Sequence, residues 1–293
     1  MASVFAVASL GAAPAAAALP EGVFEVTFTS GTEDVPALMA KPKGSLPRPA
    51  VIVLHANSLH EPYIAETVAQ LAKNDFVPLA IDVFHFLPRR SWEEFQKIPS
   101  ATIGAELDKG FTEARLVKDV QAGINYLHGL PYVKASGVGI VGFCGGGWNG
   151  LLVAAQSRDV HAVVAFYAPV KRSDPKRRAP IDLATFLTMP IQFHRASTDP
   201  DVPAADVEGF GTALRKNGTP MEVFFYEAKH GFAATNRTGI YDPKAAKLAW
   251  TRAFNFLDNH LGGPISPRPL APAWKPPSGS STPAPGSWLL HDH

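Results

Sequence analysis

Cys144 is the single cysteine of a 293-residue chain, and it stands in Gly142-Phe143-Cys144-Gly145-Gly146-Gly147. The run lies between an apolar, strand-like stretch ending at Val141 and a helix-like stretch through Leu151, Leu152 and Ala155. That is the form of a nucleophile elbow, with cysteine where serine is usual. Such an elbow holds its nucleophile on a sharp, strained strand-to-helix turn. Residues two before and two after must be small, because side chains there would collide with each other or with neighbouring strands; Gly142 and Gly146 meet that demand. A sulfur at a helix N-terminus faces unpaired N–H groups and the positive end of the helix dipole, which favours the thiolate. The N–H of Gly145 points to where an oxyanion would form. The plainer alternative is a glycine-rich turn around a buried core cysteine.

A thiol nucleophile needs a base, and the base needs an orienting acid, both later in the chain for this arrangement. Of ten histidines, His230 is the best placed: it follows the strand-like Met221 to Tyr226 by a short loop and precedes Gly231-Phe232. His194 lies inside a strand and His161 begins one, while His260, His291 and His293 fall in or beyond the last helix. Two candidate acids, Asp199 and Asp201, lie just past the strand-like Ile191 to His194. Carboxylates at the carboxyl ends of parallel strands face the active-site crevice. Either could instead cap a helix starting near Pro203.

These residues need a scaffold, and the chain supplies alternating strand and helix signals. Ala50 to His55 and Phe76 to Ile81 are continuous apolar runs typical of strands buried on both faces. Leu116, Val120, Ile124 and Leu127 repeat at helical spacing within 112–130, and Trp250, Phe254, Leu257 and Leu261 do so in the last helix. Repeated alternation predicts an α/β-hydrolase fold, a mostly parallel central sheet with helices on both faces. The stretch 82–110 reads as a long irregular loop roofing a pocket of moderate size. The domain spans 21–261, preceded by an apolar, alanine-rich 1–20 and followed by a Pro-, Ser- and Gly-rich tail over 262–293.

Composition narrows the function. A net charge of +1 gives no field for nucleic acid or for a membrane surface. No apolar run reaches the roughly 18 residues of a membrane-spanning helix. One cysteine excludes an intramolecular disulfide and a cysteine-based metal cluster. Residues 1–18 are similar to a secretory signal in their apolar run and small-residue end but lack its positive start. Export to the periplasm or medium is the expectation if this is a signal, and a cytoplasmic location if it is an extension.

Three motifs carry a resemblance to the dienelactone hydrolase family over roughly 21–261: Gly142 to Gly146, Asp199-Pro200-Asp201-Val202-Pro203, and His230-Gly231-Phe232. The resemblance implies a Cys144–His230–Asp199 triad, Asp199 being selected over Asp201 because the family acid stands three residues before Val-Pro. It also implies that the loop His55-Ala56-Asn57-Ser58 supplies a second oxyanion N–H, from Asn57, to join that of Gly145. The chain departs from the pattern twice. The family glutamate that meets the resting cysteine falls at Ala56, with Glu61 aligning elsewhere. A family arginine that holds the substrate carboxylate falls at Ala234. Arg237 is close enough to substitute, and Arg89 and Arg90 are further candidates. The basic group Lys171, Arg172, Lys176, Arg177 and Arg178 reads as a solvated loop that could also attract an anion.

The expected activity is hydrolysis of a small ester or lactone through a thioester acyl-enzyme, with no cofactor or metal implied. A carboxylesterase or thioesterase of the same fold, and a non-catalytic binding protein on this scaffold, are the alternatives.

Overall fold

In the computed structural model, which describes residues 18–171, 176–261 and 270, eight strands form one sheet. The strands are β1 (Val23–Ser30), β2 (Glu33–Ala40), β3 (Ala50–Leu54), β4 (Val77–Ile81), β5 (Val138–Phe143), β6 (Val160–Phe166), β7 (Ile191–Ala196) and β8 (Met221–Tyr226). Their spatial order is β1-β2-β4-β3-β5-β6-β7-β8. β1 and β2 form an antiparallel hairpin, β2 runs antiparallel to β4, and every later neighbour is parallel. The expected mostly parallel α/β-hydrolase sheet is present.

Strand alternation divides the core into two layers. Ile52, Leu54 and Ile140 point to one face, under α4 (Glu113–His128), α5 (Gly145–Ala154) and α6 (Ala204–Lys216). Val51, Val53, Val141 and Phe143 point to the other, under α1 (Pro62–Lys73) and α7 (Pro243–His260). Strands buried on both faces read as unbroken apolar runs because successive side chains point to opposite sides. Helix starts follow their local chemistry: Thr112 accepts from Arg115 N at 3.1 Å, and Asp242 accepts from Lys244 N and Ala245 N at 2.9 Å, ahead of Pro243.

The stretch 82–110 is more ordered than its composition suggests. It holds α2 (Trp92–Phe95), opened by a Ser91/Glu94 capping box, and α3 (Ser100–Gly110). Ile103, Leu107 and Phe111, four apart, are buried, which is the periodicity the sequence reading passed over. The basic group is likewise not a free loop among its described members. Arg177 is 4% exposed, donates to Asn149 Oδ1 at 2.7 Å, and lies 4.2 Å over the Trp148 ring. Arg178 pairs with the buried Glu113, and Lys176 with Asp108 at 2.9 Å. These side chains join α3, α4 and α5. Arg172, nearly all of the alanine-rich segment and nearly all of the Pro-rich tail lie outside the described residues. No helix among the described residues is long and apolar enough to cross a membrane.

Candidate active site

β5 ends at Phe143 and α5 begins at Gly145, leaving Cys144 alone on the turn with φ 50° and ψ −115°. A positive φ at a residue with a Cβ costs on the order of 1–3 kcal/mol and persists only where the surroundings over-determine it. They do so here. Cys144 N donates to Phe166 O at 2.8 Å, Trp148 N donates to Cys144 O at 3.0 Å, and glycines admit the close approach of backbones. A Cβ at Gly142 would run into the Gly146 carbonyl, and one at Gly146 into the carbonyl of Leu54. Gly145 is different: a Cβ there would meet only Ala56 O, at 4.0 Å. That contact sets the Gly145 turn beside the 55–58 loop, so the two expected oxyanion segments are neighbours.

The acid and base come from the ends of β7 and β8. His230 Nδ1 lies 2.7 Å from Asp199 Oδ2. Asp199 Oδ1 accepts from Asp201 N at 2.9 Å and Val202 N at 3.2 Å, so both carboxylate oxygens are engaged and the side chain is buried. Asp201 does not take the His230 bond. The two loops are tied together: Ser197 Oγ donates to Tyr226 O at 2.6 Å and Thr198 Oγ1 to Ala228 O at 2.8 Å. Arg195 fixes the acid loop from within, donating to Val202 O at 2.7 Å. The other ring nitrogen, Nε2, is buried and bonded neither to Asp199 nor to Asp201, and the Cys144 sulfur acts on the ring. Burial opposes charge on His230, yet the Cys144 sulfur and the Asp199 carboxylate outweigh it and raise the imidazole to about 10. The ring packs on Tyr167, 4.9 Å between centroids. Tyr167 itself sits at φ 40° just past β6, and burial raises its phenol well above the ordinary range.

The largest difference from the sequence reading concerns Glu61. Pro62 opens α1, and Glu61 at its N-cap gives the helix no side-chain bond. Its carboxylate is fully buried and accepts from Arg237 Nε at 2.9 Å and from Asn236 Nδ2 at 3.5 Å. Arg237 packs near Gly231, where an added Cβ would meet its Cδ and Nη1 at 3.9 Å. Burial disfavours its charge, but Glu61 more than restores it and keeps the guanidinium a cation. Glu61, Arg237 and Cys144 all act electrostatically on the buried phenols of Tyr63 and Tyr167. Glu61 and Arg237 therefore form an acid–arginine pair that acts on the same two phenols as the Cys144 sulfur.

Arg89 and Arg90 do not join this group. Arg89 pairs with Glu25 at 2.7 Å, and Arg90 forms a two-pronged pair with Glu106 at 2.8 and 2.9 Å. The 89–94 stretch does roof a cavity, of about 360 Å³, but Cys144, Asp199 and His230 take no part in its walls. Asn57 borders a smaller space with Asp82, Phe84 and His85. Asp199, Asp201 and His230 bring ligand-type atoms within 4.8 Å of one another. With Nδ1 of His230 already committed to Asp199, that geometry reads as a hydrogen-bonded acid–base pair.

The dienelactone hydrolase family pattern covers residues 35–261. The chain belongs to this family. It is accordingly a carboxylic ester hydrolase of the α/β-hydrolase fold. Over 231 residues it is 32% identical to a Bradyrhizobium protein named "Probable 2-oxo-3-(5-oxofuran-2-ylidene)propanoate lactonase", covering 78% of this chain and 90% of the relative. A Klebsiella pneumoniae protein of known structure, assigned as a dienelactone hydrolase, is 28% identical with a TM-score of 0.72, over 80% of this chain and 98% of that one. The dienelactone hydrolase of Anabaena variabilis shares the fold, with 18% identity and a TM-score of 0.60 over 82% and 98% of the two chains.

Proposed function

We propose that the protein opens a small lactone bearing a second carboxylate, by a Cys144–His230–Asp199 triad through a thioester. The observation that carries this reading is a pair of cations on one loop. His230, oriented by Asp199, carries charge that the Cys144 sulfur reinforces, and a half-buried cation, Arg237, is held by the buried Glu61 a few residues along the same loop.

The steps follow from the groups. With His230 held as an imidazolium by the Cys144 sulfur and Asp199, the thiol proton already rests on the ring, and the thiolate attacks the lactone carbonyl carbon. The carbonyl electrons move to oxygen, where the N–H groups of Gly145 and Asn57 receive the charge. The tetrahedral species collapses by expelling the ring oxygen, which takes the proton from His230. The ring is open and the acyl group is a thioester on Cys144. Water, losing a proton to His230, attacks the thioester, and the thiolate leaves as the second carboxylate forms. Arg237 exchanges part of its pairing with Glu61 for the substrate carboxylate, and the Glu61 charge so released faces the site. The name of the Bradyrhizobium relative, a lactonase for a keto-acid, supports a substrate of this class.

The test compares a carboxylate-bearing five-membered lactone with a neutral p-nitrophenyl ester, in the native protein and in Arg237→Gln. Loss of a charge-assisted hydrogen bond is worth about 1.5–3 kcal/mol, so KM for the charged lactone should rise roughly 10- to 100-fold. The neutral ester should be nearly unaffected. Equal effects on both would contradict the anionic substrate. They would favour a carboxylesterase, a reading that draws support from Glu61 already neutralising Arg237.

A further inference from the structure

A second buried histidine, His194, stands in β7 just ahead of the Asp199 loop, and the steps above leave it unused. Its ring lies between Phe166 of β6, at 4.5 Å between centroids, and Phe224 of β8, at 5.8 Å, both stacked on it. Both ring nitrogens are bonded, Nδ1 to Tyr226 Oη at 2.8 Å and Nε2 to Gln192 Oε1 at 2.9 Å. The chain of bonds runs on at either end. Arg252 Nη1 of α7 donates to Tyr226 Oη at 3.1 Å, and Gln192 Nε2 donates to Glu222 Oε2 at 2.8 Å.

The two ends fix the direction of every bond between them, because a guanidinium only donates and a carboxylate only accepts. Glu222 takes the Gln192 amide nitrogen, so the Gln192 oxygen faces His194 and the ring must carry its proton on Nε2. Nδ1 of the neutral ring is then a bare acceptor. The Tyr226 hydroxyl, already receiving from Arg252, supplies its own proton there. A doubly protonated ring would set a second N–H against that hydroxyl and leave the Tyr226 proton without an acceptor. Burial opposes the charged ring as well, and with the Arg252 charge it lowers the His194 pKa to about 3.

The same residue touches what holds each member of the triad. Phe166, stacked on the ring, accepts from Cys144 N at 2.8 Å through its carbonyl. Tyr226 ends β8, and its carbonyl accepts from Ser197 N at 2.7 Å and Ser197 Oγ at 2.6 Å, in the loop that carries Asp199. The His194 carbonyl accepts from Tyr167 N at 2.7 Å, and the Tyr167 ring packs on His230. Nucleophile, acid and base are therefore each one neighbour away from His194.

We propose that His194 is a positioning residue of the hydrolytic site. In one fixed neutral tautomer it closes the chain from Arg252 to Glu222, and so holds the ends of β6, β7 and β8, with Cys144, Asp199 and His230, in mutual register. The role at the site rests on the triad proposed above; the tautomer does not.

Nitrogen-15 labelling of the histidines in the full chain, read by long-range proton–nitrogen correlation between about pH 5 and 8, reports the tautomer directly. One histidine should stay neutral throughout with its proton on Nε2, and its signals should move in Tyr226→Phe, which removes only the hydroxyl. A proton on Nδ1, or titration in the ordinary histidine range, would overturn the chain of bonds. Because Cys144 is the single cysteine, alkylation by iodoacetamide against pH reads its thiolate. A loosened Asp199–His230 pair holds the thiolate less well. In Tyr226→Phe the alkylation midpoint should rise by about half a pH unit or more, and kcat on a neutral p-nitrophenyl ester should fall on the order of tenfold with KM unchanged. Arg252→Leu, at the donating end, should act in the same direction. Phe224→Leu takes packing from the same ring and none of the hydrogen bonds, so it should lower the denaturant midpoint and leave the alkylation midpoint in place. Unmoved alkylation and kcat in both Tyr226→Phe and Arg252→Leu, or an equal shift in Phe224→Leu, would overturn the positioning role. A native Cys144 that alkylates as an ordinary thiol would overturn the triad and leave the tautomer standing.

Discussion

The turn that carries Cys144 and the stretch 82–110 both connect core elements of the same sheet, yet they are held in opposite ways. The turn is fixed by backbone against backbone: Gly142 on Gly146, Gly146 on Leu54, Cys144 N on Phe166 O. The stretch 82–110 is fixed by side chains: Arg90 on Glu106, Lys176 on Asp108, and Phe84 edge-on to Phe111 and His55. Backbone contacts of that closeness leave no residue but glycine, whereas side-chain ties can be exchanged for others of similar reach. The first kind preserves a motif in its sequence. The second is also how Glu61 meets Arg237, by side chains alone and from distant parts of the chain.

The sharpest way to break this contrast is to add one methyl group. Gly146→Ala should destabilise the protein by about 3 kcal/mol or more, because the rigid Leu54 carbonyl occupies the space. Denaturant midpoints would measure it. Gly145→Ala, with only Ala56 O at 4.0 Å, should cost less than about 1 kcal/mol. Similar losses in the two variants would mean the elbow is not held as described.

Asp199→Asn comes next, because it alters the charge that holds His230 while keeping its size. It should lower kcat on the order of a thousandfold, with the fold retained. The pH profile carries the sign. His230 is raised from its ordinary value to about 10, so the charged imidazole stabilises the native state fully below about pH 6.5. That contribution is lost as pH rises through about 10. Removing the Asp199 charge should move this loss to lower pH. An unshifted profile in Asp199→Asn would show that Asp199 does not set the His230 proton.

The smallest effect is expected in the side-chain region. Arg90→Ala breaks a half-buried pair with Glu106 and should cost less than about 1 kcal/mol, with turnover of a neutral ester unchanged. A large loss of turnover would bring the 82–110 stretch into the catalytic site after all.

The same contrast explains what was legible in the sequence. The sheet could be read because strands buried on both faces must be apolar throughout, as in Ala50 to Leu54. The elbow could be read because its backbone contacts force glycine at two fixed offsets. His230 and Asp199 could be placed because they follow strands whose ends face the crevice. Glu61 could not, because its meeting with Arg237 spans 176 positions and depends on where α1 starts. The only signal was Pro62 beside an acid with no helix bond of its own to make. Arg177 was read as solvated because sequence does not show that Trp148 and Asn149, at the start of α5, lie beneath it. Ile103 and Leu107 form too short a repeat to stand out among the aromatic and basic residues before them.

The central claim is that Cys144 carries the acyl group. Rapid acid quench of the native protein during turnover of a slow p-nitrophenyl ester, followed by peptide mass analysis, tests it directly. The account predicts one acyl mass on the peptide containing Cys144, labile to hydroxylamine, and none in Cys144→Ala, which also fails to turn over. Acylation at another residue, or undiminished turnover in Cys144→Ala, would contradict it.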